Sequence, residues 1–378
     1  MERLNGKKSF RKAISSLKIK IIDLYIIKKF LGTFFFCLVL ILTIAVVFDF
    51  AEKIDNFMEK SAPWKAVVFD YYLNFIPYFA TLFAPLFVFI AVIFFTSRMA
   101  VNTEIIAILN SGMSFRRMMW PYFLSAVVIG GMIFYLTNFM IPHANLVRLD
   151  FEDKYYRPRG RRINIENVHR QVFKNIYVYI ESYNPVYLRG RNFTIEKFDN
   201  HGRLISKLSA PSVTWDSVSG KWSALNYVHR EIKGSEEILT RGSKIDTTLT
   251  IRPSDLARDA SFVGTMNWSE LDNYIDLLKM QGSDEIKVFL IEKHRRIVSP
   301  FAVFILSLIG VSLSSRKIRG GIGMNIGIGL ALSFSYIFFQ QFASQFSLKG
   351  NLSPMVAMWI PNMIYLVIAL VLYKLAPK

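Results

Sequence analysis

Six runs of apolar residues, each long enough to cross a bilayer, constrain this 378-residue chain more than any other feature of its sequence. The hydrocarbon layer is about 30 Å thick, and a helix needs about 20 predominantly apolar residues to cross it. The runs are Phe30 to Phe48, Trp64 to Phe95, Met118 to Ile141, Val288 to Ser314, Ile322 to Phe346 and Pro354 to Tyr373. The second is long for one span and contains Pro77 and Pro85. Neither half of it is long enough alone, so it reads as one kinked or tilted helix. A polar stretch from about His143 to Gly282 separates the third run from the fourth. The expected fold class is therefore an integral membrane α-helical protein with six spans, three plus three, and one large inserted domain.

Charge gives this arrangement a direction. A formal charge of +18 on a soluble protein would raise nucleic acid as a partner. A hydrophobic content of 52% and a mean hydropathy of +0.32 are too apolar for that class. Basic residues beside apolar runs instead set topology and meet anionic headgroups, so no nucleic-acid partner is expected. Residues 1–29 hold nine Lys or Arg, and the next loop on that side holds Arg98, Arg116 and Arg117. Arg316, Lys317 and Arg319 follow, and then Lys374 and Lys378. The opposite short loops hold only Lys53, Lys60 and Lys349. By the positive-inside rule both termini are cytoplasmic and the large domain lies outside, which in a bacterium is the periplasm. Leu17 to Lys29 mixes apolar and basic residues and reads as an amphipathic segment on the inner interface. It is not a cleavable signal, because the apolar run after it is long enough to span. The lone cysteine, Cys37, lies in an apolar run and can make no disulfide within the chain.

Within the polar stretch, residues 170–250 read as β-structure. Ile176, Val178 and Ile180 alternate with Tyr177, Tyr179 and Glu181, a period of two. Turn signals recur at Asp199-Asn200-His201-Gly202, Ser219-Gly220 and Lys233-Gly234-Ser235. Short strands at this spacing predict a sandwich or jelly roll. Its apolar face is either a plain core or a groove for a lipid. A helix follows, capped by Asn267 or Ser269, with Leu271, Ile275 and Leu278 on one face and Gly282 at its end. The domains expected are residues 1–29, a basic N-terminal segment; 30–141, the first three spans; 142–283, the β-rich domain with its connecting helix; and 284–378, the last three spans.

Several chemistries are missing. There is no Gly-x-x-x-x-Gly-Lys-Ser/Thr phosphate loop and no Gly-x-Ser-x-Gly elbow. The five histidines are scattered and one cysteine cannot make a thiolate cluster, so no metal and no cofactor are expected. The spans are poor in ionisable groups, with Asp49 and Asp70 near their ends, which counts against an ion-driven carrier and an intramembrane hydrolase.

Two constellations remain. In the segment Thr96 to Pro121, a short helix at about 100–112 would be capped by Asn102 or Thr103, with Glu104 in its first turn. Ile105, Ile106, Ile108 and Leu109 make it amphipathic, and Gly112 stops it. It either lies on the bilayer or docks a cytoplasmic partner, offering Glu104 to a cation there. The fifth span carries Gly323 and Gly327 in a Gly-x-x-x-Gly pair, followed by Gly329, Ala331, Ser333 and Ser335. Small residues let helices approach closely in lipid, within the chain or across subunits.

The order of these parts resembles the lipopolysaccharide-export permeases of the LptF/LptG family. Asp23 to Phe36 is similar to the family's opening, in its LptG-like form. Asn102 to Arg117 looks like its coupling helix, His294 to Ser314 like the start of its fourth span, and Arg319 to Gly329 like its fifth. The resemblance implies an inner-membrane subunit of a Gram-negative bacterium with a periplasmic jelly roll. By the same resemblance it would pair with a second permease of the same type on a cytoplasmic ABC ATPase dimer. It would extract lipopolysaccharide and pass it to periplasmic bridge proteins. Residues Asn102, Thr103, Glu104, Ser111 and Gly112 would couple to the ATPase, with Glu104 forming an ion pair. The first and fifth spans would line the cavity and lateral gate, and Gly323, Gly327 and Gly329 would pack there. Lys53, Lys293, Arg295 and Arg296 would meet lipid phosphates, or else anchor helices at the interface. The chain has Asp49 where LptG-like members can carry a lysine late in the first span, so contacts there are not carried over. Another ATPase-linked permease, such as one for lipoprotein release, is the alternative, but those place the large domain after the first span.

Overall fold

Among the described residues of the computed structural model, the apolar runs become six helices long and apolar enough to cross a membrane. The structure describes residues 20–156, 165–315 and 321–376, apart from 186, 218, 235, 250, 252, 257–259 and 284. Most of the basic N-terminal segment lies outside these residues, as do Arg316, Lys317, Arg319 and Lys378. Apart from two short helical turns at Pro253–Leu256 and Ala260–Thr265, the helices are α1 Ile21–Glu59, α2 Trp64–Val101, the short α3 Glu104–Asn110, α4 Phe115–Tyr155, α5 Trp268–Met280, α6 Ile286–Ser314, α7 Gly321–Lys349 and α8 Pro354–Leu375.

Several helices outrun the apolar runs that predicted them. α1 has 39 residues, about 58 Å at 1.5 Å each, and continues past Phe48 to Glu59. Hydropathy marks where the hydrocarbon would be, whereas a helix stops where the backbone is turned. That happens only at Ser61, with φ 52°, and Pro63, which opens α2. α2 is a single helix despite Pro77 and Pro85, as expected. It and α4 each contain one π-helical turn, at Val67–Tyr72 and Leu136–Met140.

The chain divides into two compact units, one of residues up to Arg148 and from Lys293 onward, the other Leu149–Glu292. In the helical unit, Ile26, Phe30, Phe34, Leu38 and Leu42 form a buried stripe on α1 at fourfold spacing. Its other face exposes Phe35, Phe36, Val39, Val47 and Phe48, a surface suited to lipid or to another membrane chain. α2 and α6 are the central helices, each with 61% of its apolar window buried, against 22% for α1 and α7. Gly310 of α6 comes close to Val92 and Phe89 of α2, so a larger residue there would have to displace them. Polar side chains join helices inside this unit. Asn325 donates to Ser97 at 2.9 Å, and Asn362 takes the Tyr336 hydroxyl at 2.7 Å while donating to the Val298 carbonyl. Cys37 is half-buried and packs against the same apolar core.

The inserted unit is built on a six-stranded antiparallel sheet: β1 Ile165–Phe173, β2 Ile176–Asn184, β3 Arg189–Phe198, β4 Leu204–Asp216, β5 Lys221–Lys233 and β6 Glu236–Thr247. The strands lie in sequence order. Each neighbour is reached by a hairpin, and no crossover of the jelly-roll kind occurs among the described strands. The alternation read in β2 holds, because Val178 and Ile180 are buried while Tyr177 and Glu181 face out. They pair with Ile195 and Phe193, which pair in turn with Leu208 and Ala210, so the apolar face continues across the sheet. Trp222 is buried at 1% exposure, donates its indole N–H to the Ile251 carbonyl at 2.8 Å, and meets Tyr183 and Trp215 edge-on. The β3–β4 turn sits where its residues foretold. Asp199 accepts from the amides of His201 and Arg203, each at 2.8 Å, which holds its carboxyl below the usual range. α5 begins in a reciprocal cap between Asn267 and Glu270, and it buries Leu271, Ile275 and Leu278.

Candidate functional site

The foot of the helical unit gathers the residues around Glu104. α2 ends at Val101, and the chain turns sharply to start α3. Thr103 takes the N-cap position in a left-handed conformation, φ 61°, and makes no side-chain cap. Its hydroxyl donates instead to the Asn102 carbonyl at 2.6 Å. The expected cap therefore does not form, because the left-handed backbone turns that side chain away from the helix amides. Glu104 does fall in the first turn, where the helix dipole favours a carboxylate. Ile105 and Ile108 are buried in the main apolar core, and Ile106 on the other face is exposed. At the far end the Ser111 hydroxyl bonds the Ile108 carbonyl at 2.7 Å, and Gly112 adopts φ 84°, a conformation that glycine reaches without strain.

Three further residues converge here that the sequence pattern did not single out. The Tyr25 hydroxyl donates to Glu104 Oε2 at 2.9 Å, while Asn102 approaches Oε1 at 3.4 Å. One turn of α1 holds both Tyr25 and Asp23. Asp23 is 1% exposed, and its two oxygens meet the two terminal nitrogens of Arg117 at 2.7 and 2.5 Å. It also accepts the Lys20 backbone N–H at 2.8 Å. Arg117 lies in the first turn of α4, whose N-cap Ser114 accepts from its amide. The signal for this pair was an isolated carboxylate just ahead of an apolar run. Arg117 entered the sequence argument only as topological charge.

Towards the other end of α1, Lys53 pairs with Asp49 at 2.6 Å, one turn back. Their side chains are only 13% and 14% exposed. The π-turn in α2 presents both Tyr71 and Tyr72 to them: Lys53 bonds the Tyr71 hydroxyl and lies 4.9 Å from its ring centre, and Tyr72 donates to Asp49 at 3.2 Å. Asp49 is thus well inside a helix and neutralised, and Lys53 comes with a counter-ion. Lys293, Arg295 and Arg296 stand together on α6, but not with the same access. Arg296 is buried at 1% exposure, whereas Lys293 and Arg295 are half-buried.

The three glycines of α7 separate into two kinds. A Cβ on Gly329 would collide with the Ile93 side chain of α2, so this glycine allows a close helix contact within the chain. Beside Gly323 and Gly327 there is open space among the described residues. Among the described residues no group of three or more His, Cys, Asp or Glu side chains is placed to hold a metal ion.

Residues 24–375 match the family described as lipopolysaccharide export system permease LptF/LptG, so the match runs from one residue after Asp23 to the end of α8. No individual curated protein matches the chain. Six apolar helices, the β-unit between the third and fourth, and a family match over nearly the whole length agree, and the chain belongs to the lipopolysaccharide export permease family LptF/LptG.

Proposed function

We propose that this chain is one permease subunit of an ATP-driven exporter that draws lipopolysaccharide from the inner membrane and hands it to a periplasmic bridge. α3 carries the reading: it is a short helix seated on the membrane helices by Ile105 and Ile108, with an acidic residue at its start and an exposed outer face. The chain has no phosphate loop of its own, so ATP is hydrolysed by a separate cytoplasmic ABC ATPase dimer that takes hold of α3. Glu104 forms an ion pair with that partner, and Asn102, Thr103, Ser111 and Gly112 shape the contact. Both termini lie in the cytoplasm with α3, and the β-unit lies in the periplasm, as the loop charges direct.

A second LptF/LptG-type permease completes the assembly. α1 and α7 are the least buried spans, and the open faces of Gly323 and Gly327 leave room for a close neighbour. Lipid A phosphates meet Lys293 and Arg295 near the outer mouth, and reach Lys53 by competing with Asp49.

Purification of the complex from native membranes, with identification of the co-purifying subunits and lipid, tests the whole reading. An ABC ATPase and lipopolysaccharide are expected. Recovery of a lipoprotein in place of lipopolysaccharide would favour the lipoprotein-release alternative, and recovery of no ATPase would sink both. Glu104→Ala is expected to insert normally and to lose lipid export, and normal export by that variant would remove Glu104 from the coupling contact.

A further inference from the structure

We propose that Tyr25 is a positioning residue for this coupling, tying Glu104 to the foot of the first span so that a displacement of α3 is delivered to α1 directly. The inference rests on the exporter reading above and names an internal relay for it. Glu104 and Tyr25 are 79 residues apart in sequence, yet the Tyr25 hydroxyl donates to Glu104 Oε2 at 2.9 Å. A carboxylate can accept about four hydrogen bonds. One from Tyr25 and a long one from Asn102 fix the orientation of the Glu104 carboxylate and leave capacity for an incoming cation.

The geometry of α1 makes this tie consequential. α1 is among the least buried spans and exposes Phe35, Phe36, Val39, Val47 and Phe48 along its middle. Its foot is held by two polar ties of different character. Asp23 and Arg117 form a buried ionic fork to α4. Tyr25 and Glu104 form a single bond from an exposed phenol. Ile26 and Ile105, both buried in the same apolar core, back this second tie. The fork fixes α1 to the membrane helices, and the phenol fixes α3 to α1. Without the hydroxyl, α3 still reaches α2 through the backbone, but its polar link to α1 is gone. Linkage makes the tie reciprocal, so a lipid bound along α1 changes how Glu104 is presented to the partner.

The test uses the complete complex with its ATPase in lipid nanodiscs, and reads lipopolysaccharide released per ATP hydrolysed. Tyr25→Phe keeps the ring and removes only the donor. Its ratio is expected to fall about tenfold, the order for one hydrogen bond to a charged acceptor. Glu104→Gln is expected to fall at least as far, and the double variant Tyr25→Phe/Glu104→Gln no further than Glu104→Gln alone. Simple structural damage would lower the yield of assembled complex and leave the ratio in the recovered complex unchanged. A wild-type ratio in Tyr25→Phe, or losses that multiply in the double variant, would overturn the proposal. If the unmodified complex hydrolyses ATP but moves no lipopolysaccharide, the exporter reading fails first and the relay with it.

Discussion

Replacing Asp23 by asparagine is the sharpest test of how the foot of this molecule is held. The substitution keeps the shape and one acceptor oxygen, and it removes the charge that Arg117 faces across 2.5 and 2.7 Å. Two unit charges about 4 Å apart attract by ~4 kcal/mol at an effective dielectric of about 20. Desolvation offsets part of that attraction, and Arg117 keeps 22% of its side chain exposed. Asp23 itself is 1% exposed, which places the pair with buried rather than surface ion pairs. Removing one partner of a buried pair costs about 3–5 kcal/mol, and the partial exposure of Arg117 points to the lower end, ~3 kcal/mol. The assay is reversible unfolding of the full chain in lipid or detergent, run as a cycle with Arg117→Met. Each single variant is expected to lose ~3 kcal/mol, and the double variant about 2 kcal/mol less than their sum. A loss below ~1 kcal/mol for Asp23→Asn would be the value of a surface pair and would refute the burial argument.

Other sites give contrasting outcomes. Gly329→Val should destabilise the helical unit by about 1–3 kcal/mol through its collision with Ile93, whereas Gly323→Ala, in open space, should be neutral or stabilise by up to ~1 kcal/mol; thermal unfolding of the two full-length variants checks this. Trp222→Ala should cost the inserted unit about 3–5 kcal/mol, and Trp222→Phe about 1–2 kcal/mol for the orphaned Ile251 carbonyl, read as lost near-ultraviolet dichroism on denaturant titration. Asp199 has its folded pKa depressed below 3.8, so the support it gives its turn is fully present above 3.8 and is lost as pH falls through the folded value. Amide exchange of His201 and Arg203, corrected for intrinsic rates, should therefore stay slow at about pH 5 and quicken only in stronger acid; loss of protection already above 3.8 would contradict the depressed value.

What could be read from the sequence follows the range of the forces involved. The six spans were legible because lipid demands about 20 apolar residues in a row, whatever their neighbours. The β2 alternation, the turn at Asp199 to Gly202 and the cap at Asn267 were legible because each is written within a few residues. The end of α1 was not, since Glu52 to Glu59 is polar yet still helical and the helix stops only at the Ser61 turn. The Thr103 cap failed because its backbone is set by the sharp turn out of α2, which propensity does not record. The sequence singled out Glu104, but it did not place Tyr25, Asp23 and Arg117 beside it. Those contacts depend on which helices stand side by side, and apolar periodicity does not choose neighbours. The same holds for Asp49, which looked like a residue at a span end and proves to be bound to Lys53, Tyr71 and Tyr72.

The π-turn at Val67–Tyr72 makes chain length a functional quantity in α2. Such a turn carries about one residue more than an α-helical turn and is in effect an accommodated insertion. Deleting one residue here would let the turn close to an ordinary α-helical turn, with the segments on either side kept in phase but the local widening lost. Composition and hydropathy would barely change, and the span would still insert. Yet Tyr71 and Tyr72 could no longer both face α1, and Asp49 and Lys53 would be left in their largely buried position with fewer partners. Point substitutions that keep a bulky apolar residue should be tolerated along this helix far better than the loss of any single position within the turn.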